Sequence, residues 1–231
     1  VSQPDPVTVA FCPQPPLLVP AVSGASTPAL ALLRAAVSAA VQALLAAQPE
    51  VVVVVGSGVA PGVRFGPGDA GDLHGHGVDL PVPFSGGVRP GGRALPLAHT
   101  LGAWVLEREG HTGARLGVGP ADLAAALADV DGPVGVLAMG DGSARRSPKA
   151  PGALDPAAAP FDAAVATALA AGDAAALAGL DAAEGERLLA AGVPVWRAVG
   201  GALAGRAVQA RLHHDDAPFG VGYLVADWTA R

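Results

Sequence analysis

One cysteine and one lysine stand among the 231 residues of this chain, and each scarcity removes options. The lone thiol, Cys12, has no partner for an internal disulfide, as befits a chain kept in a reducing compartment. Aromatic residues make up 4% of the chain, so a core has to be assembled from small side chains packed closely. Positive charge is also in short supply, with 14 Lys and Arg against 20 Asp and Glu and a net charge of −6 at pH 7. A chain of this balance, with no basic face interleaved with aromatics, has no general attraction for phosphate backbones or anionic lipid. Neither nucleic acid nor membrane is therefore an expected partner. No apolar run is read as approaching the roughly 20 residues of a membrane span. The opening Val1-Ser2-Gln3-Pro4 lacks the basic-then-apolar layout of a secretory signal, and the cytoplasm is the expected location.

What the chain does have is Ala, Val and Leu, the main carriers of its 51% hydrophobic content. Its 32 Gly and 22 Pro fall between apolar runs without a short period, which argues against collagen and disorder. The length suits one α/β domain over residues 1–231.

The elements follow from pattern. Val7–Cys12 and Val51–Val55 are short apolar, β-branched runs, expected as buried strands. Between them Thr27-Pro28 supplies an N-cap and a proline at the first helical position, and Ala29–Ala47 reads as a long helix. Strand, helix and strand in this order imply a parallel crossover. Residues 56–92 are rich in Gly and Pro and are expected to be irregular, with one short strand near Val78–Val82. Further helices are expected over 95–109, 120–128, 163–172, 174–180, 182–191 and 195–203. Strands are expected over 115–118, 134–139, 207–213 and 221–228, completing a mostly parallel or mixed sheet between two helical layers.

Ligands of open α/β sheets collect outside the carboxyl ends of strands. Three loops there carry the polar residues: Pro13-Gln14-Pro15, Gly56-Ser57-Gly58 and Gly140-Asp141-Gly142-Ser143-Ala144-Arg145. The last of these, followed by Pro151-Gly152, Phe161-Asp162, Trp196 and Phe219-Gly220-Val221-Gly222-Tyr223, resembles the second half of the class III extradiol dioxygenases. That superfamily holds protocatechuate ring-cleavage catalytic subunits and Memo-like proteins. The resemblance implies a three-layer αβα sandwich, dimeric assembly, and one histidine in each of the three loops, two holding Fe(II) and one moving protons. It places those histidines at Gln14, Gly58 and Ala144, which are an amide, a bare backbone and a methyl group. A further family ligand falls within 184–191, where Glu184 and Glu186 are the carboxylates. No cofactor is expected on this reading, with Fe(II) as the alternative. The expected function is recognition of a small molecule or partner at a degenerate metal site lined by Gln14, Ser57, Gly58, Asp141, Ser143, Ala144 and Arg145.

Other arrangements compete with it. His74 and His76 have a spacing that puts two imidazoles on one side of an extended segment, and His99 is placed to approach from the next helix, so a rearranged metal-dependent oxidoreductase is one alternative. The plain reading is solvated loop histidines. Asp141, Ser143, Arg145, Arg146 and Lys149 form a polar cluster suited to a small anion. There the plain reading has Asp141 and Ser143 bonding the turn backbone. Ser57 as a nucleophile requires a hydrogen-bonded base, with His74 or His99 as the nominees. Cys12 is read as a small packing residue, and Trp104, Trp196 and Trp228 as core or interface. His213 and His214, adjacent in a strand, are expected to face opposite sides.

Overall fold

A computed structural model describes residues 6–231, and Val1–Pro4, read above for a secretory layout, lie outside the described residues. In chain order the elements are β1 (Val7–Cys12), α1 (Pro20–Ser23), α2 (Pro28–Ala46), β2 (Val51–Val55), β3 (Arg64–Phe65), β4 (Ala70–Asp72) and β5 (Pro81–Pro83). There follow α3 (Leu97–Arg108), β6 (Ala114–Val118), α4 (Leu123–Ala128), β7 (Val134–Met139) and α5 (Ala158–Ala171). The chain ends with α6 (Ala174–Ala178), α7 (Ala182–Arg187), α8 (Val193–Ala202), β8 (Val208–Asp216) and β9 (Tyr223–Ala230).

Seven strands form one sheet in the order β3-β6-β2-β7-β1-β9-β8. The central four run parallel, while β3 on one side and β9 and β8 on the other are antiparallel to their neighbours. The sheet is therefore mixed. Alternation of side chains sorts its residues between two cores. Val7, Val9, Phe11, Val53 and Val55 face α4, α5, α6 and α8, and Ala10, Cys12, Val52, Val54, Leu137 and Met139 face α2 and α3. This is a three-layer αβα sandwich.

Few aromatics suffice because they are placed at depth. Trp196 and Trp228 are both buried, Phe11 meets Trp228 edge to face at 4.9 Å between ring centres, and the Trp228 indole N–H donates to the Leu169 carbonyl at 2.7 Å. Trp104 is half-buried, with Arg108 lying 5.5 Å over its ring. Cys12 is buried, and the low-dielectric core pushes its thiol well above the usual range, so it stays protonated. One hydroxyl is left over: Thr8 is buried and its Oγ1 has no hydrogen-bond partner.

α2 begins as its cap signals, with Thr27 Oγ1 accepting from Leu30 N at 3.3 Å. Its 19 residues, with a mean hydropathy of 1.8, are long and apolar enough to cross a membrane, which the sequence reading passed over. In this fold Leu33, Val37, Ala40, Val41 and Leu44 are buried, and the helix lies against β1 and β9.

The Gly- and Pro-rich segment differs most from expectation. It holds three short strands: β3 pairs with β6 at the sheet edge, and β4 pairs with β5 in a separate ribbon. The strand expected at Val78–Val82 lies at Pro81–Pro83. At the other edge β8 carries a register shift between Leu212 and His214. The His213 imidazole reaches Asp227 on β9, and His214 is half-buried with Nε2 unpartnered.

Candidate functional site

Adjacency of β2, β7 and β1 brings the three polar loops side by side at their carboxyl ends, as the pattern of strands predicts. Gly140 N donates to Cys12 O at 2.9 Å, carrying the pairing with β1 one residue past the end of β7. One residue on, Gln14 N donates to Asp141 Oδ1 at 2.7 Å. Asp141 also anchors through its backbone, its carbonyl accepting from Gly192 N at 2.8 Å at the start of α8. Gly140 has to be glycine here, since a Cβ would lie 2.4 Å from the Gly192 Cα.

Asp162, from α5, organises the rest of the turn. Fully buried, it accepts from Ser143 N at 2.9 Å and from Arg146 Nη1 at 2.7 Å. A Cβ on Gly142 would lie 2.8 Å from Asp162 Oδ1, and one on Gly222 would lie 2.1 Å from Oδ2. These two glycines therefore let the β7 loop and the β9 entry close around one carboxylate. They bond each other as well, Gly142 N to Gly222 O at 2.7 Å and Gly222 N to Ser143 O at 2.9 Å. The Ser143 hydroxyl donates to Leu188 O at 2.7 Å and accepts from Arg145 N at 3.1 Å.

The electrostatics single out Asp141. Desolvation raises its carboxyl to about 7, opposed by the Gln14 N–H bond. Desolvation also raises Tyr223, and the nearby Asp141 charge adds to the effect. Asp162 is held up by its burial, against the pull of the Ser143 N–H and the Arg146 guanidinium. Beside Asp141, Gln14 Oε1 is buried without a partner. Near neutral pH the protonated and ionised forms of Asp141 are therefore close in free energy.

The remaining expected residues divide. Gly58 is exposed with a left-handed φ of 84°, and Ala144 offers a half-exposed methyl group. Ser57 donates to Ala191 O at 3.2 Å rather than to a histidine. His99 is fully buried, with Nε2 3.0 Å from Val118 O and Nδ1 unpartnered, and desolvation lowers its imidazole to about 4. It lies beneath Gly56, whose Cβ would come within 3.2 Å of its ring. His74 sits on the exposed loop between Asp72 and Asp79, at 3.0 and 2.7 Å, and these carboxylates raise its imidazole above the usual range. His76 shares that turn. Among the described residues no group of three or more His, Cys, Asp or Glu side chains is placed to hold a metal, so His74, His76 and His99 are not brought together as ligands.

Fe(II), the group implied by the resemblance, does not fit the side chains present. An amide oxygen, a glycine and a methyl group do not make the imidazole and carboxylate set that non-haem iron requires. Glu184, within the segment of the remaining family ligand, is paired with Arg187 at 2.7 Å. Glu186 lines an apolar groove of about 640 Å³ with Ser57, Leu189, Pro194 and Arg197.

Two features escaped the sequence reading. Phe161-Asp162 stood out in the sequence as part of the resemblance, but the contacts of Asp162 with Ser143 N and Arg146 did not. Two distant glycines crowding one carboxylate are visible only after folding. The second is Leu189, 46% exposed on the groove rim with φ 55°. No protein-family model matches the chain, and no curated protein matches it.

Proposed function

We propose that this chain is a divergent class III extradiol dioxygenase-like, Memo-like protein that has exchanged Fe(II) ring cleavage for recognition of a polar small molecule or partner in the cytoplasm. The observation that carries this reading is the direct bond of Gln14 N to Asp141 Oδ1 between two of the three loops. The accepting carboxyl is itself raised to about 7 by burial, and the Gln14 amide oxygen is buried without a partner. A carboxyl group tuned this way exchanges hydrogen bonds with neutral and cationic ligands alike.

The experiment is reconstitution with Fe(II) under anaerobic conditions, followed by metal analysis and a catechol-cleavage assay in air. The expected result is substoichiometric iron and no ring-opened product. Stoichiometric iron with turnover overturns the proposal. In parallel, a screen of amines, amides and diols by thermal unfolding is expected to find stabilising ligands whose effect is lost in Asp141→Ala.

A further inference from the structure

The irregular segment between β2 and α3 builds a second concavity at the β3 edge of the sheet, away from the three loops. This recess has a volume of about 550 Å³, and Arg64, Arg89, Arg93, Asp69, Phe65 and Leu116 are among its lining residues. Its walls are closely fitted. Gly68, with φ 95°, receives Arg89 N on its carbonyl at 3.1 Å, and a Cβ on Gly92 would lie 2.2 Å from that same oxygen. Asp69, only 8% exposed, draws the two walls together by accepting from Gly66 N at 2.9 Å and Arg93 N at 2.7 Å.

The three guanidinium groups are each fixed by one bond. Arg89 Nη2 donates to Pro67 O at 2.6 Å, Arg93 Nη1 to Arg64 O at 2.8 Å, and Arg64 Nη2 to Asp129 Oδ2 at 2.7 Å. A guanidinium carries five N–H donors, so most of theirs remain for a ligand. Asp129 offsets Arg64 by direct pairing, and Asp69, kept ionised by the backbone N–H groups and by the nearby Arg93 and Arg89, offsets part of theirs, so the excess positive charge of the recess rests with Arg89 and Arg93. The other carboxylates of this segment, Asp72 and Asp79, are paired with His74. In a chain of net charge −6, this recess keeps a small excess of positive charge.

The geometry points to a binding site for a small organic phosphate. Arg89 and Arg93 take the phosphoryl oxygens, and the organic part lies along Leu116. Preorganised guanidinium forks match phosphate oxygens in pairs, and a recess of this size suits a small organic ligand better than a bare ion.

The test uses the full chain and follows its unfolding midpoint and binding calorimetry with inorganic phosphate and with phenyl phosphate, against sodium chloride of matched ionic strength. Both phosphates are expected to bind saturably and raise the midpoint, with phenyl phosphate the tighter. Arg89→Gln and Arg93→Gln are each expected to weaken binding roughly tenfold, the scale of a charge-assisted hydrogen bond. Arg211→Gln, on β8, is expected to leave binding unchanged. Because Arg93 also supports the Arg64 carbonyl, a lowered midpoint in unliganded Arg93→Gln leaves the decision to Arg89→Gln, whose side chain lies over Gly68 and makes one hydrogen bond, to Pro67 O. A midpoint shift of equal size in wild type and Arg89→Gln overturns the site, since phosphate stabilises many proteins by exclusion. Absence of any effect beyond chloride overturns it as well. Equal affinity for the two phosphates overturns the organic ligand.

Discussion

Gln14 N and Asp141 Oδ1, 127 positions apart in the chain, meet at 2.7 Å where β1 and β7 end. The bond opposes the desolvation of Asp141 only in part, and the folded-state carboxyl remains near 7 while an unfolded aspartate titrates at about 3.9.

Asp141 consequently makes stability depend on pH. Between about pH 4 and 7 the unfolded chain has released a proton that the folded chain keeps, so this contribution is lost as pH rises through that window. Replacing Asp141 with Asn is expected to remove a slope of about 1 kcal/mol per pH unit, because the amide does not ionise. Urea unfolding at half-unit steps from pH 4.5 to 8 measures it. Parallel profiles for the two proteins count against the assignment.

His99 produces the opposite slope. Its folded-state imidazole is near 4 against roughly 6.5 unfolded, so the stability it contributes is present above pH 6.5 and is lost as pH falls toward 4. In wild type the two groups oppose each other between about pH 4 and 6.5, and the acid-side loss is expected to emerge in Asp141→Asn. Nitrogen chemical shifts of the imidazole are expected to report a neutral ring at pH 5.5. A midpoint above 6 contradicts the buried placement.

Asp162→Ala is expected to cost about 3 to 5 kcal/mol, because it strands Arg146 and leaves the Ser143 N–H without its acceptor. Loss of the Asp141 slope in the same variant is the accompanying signature, since the turn carrying Asp141 is held in place by Asp162. Denaturant unfolding measures the first and its pH series the second. A cost below about 1 kcal/mol rejects the organising role.

Thr8→Val is expected to stabilise the protein by about 1 kcal/mol, since valine keeps the shape of the buried threonine and removes its unpartnered hydroxyl. Comparison of urea midpoints tests it, and a destabilised variant indicates that the hydroxyl has a partner in solution.

Much of the sheet was readable before folding. The five valines of Val51–Val55 and the run Val134–Met139 bury both faces, and Thr27-Pro28 marks the start of α2, because such signals are local. Strand direction was less accessible: antiparallel β8 and β9 have compositions that also suit parallel pairing. β3, β4 and β5 are two or three residues each and are set by backbone pairing that leaves no periodicity. At the site, the loops containing Gln14, Ser57 and Asp141 were legible as strand ends. The contact between Gln14 and Asp141 depends on chain segments far apart in sequence, and the closure around Asp162 and the arginine recess on loop conformations that no spacing rule encodes.

The register shift at His213 interrupts the nine-residue border strand β8, whose far end carries Asp215 and Asp216. An incoming ribbon from another molecule meets misaligned carbonyls and like charge along that rim, and the opposite rim offers only the two residues of β3. Any stable self-association is accordingly steered toward the helical faces or the loops, with the sheet margins guarded against fibrous growth.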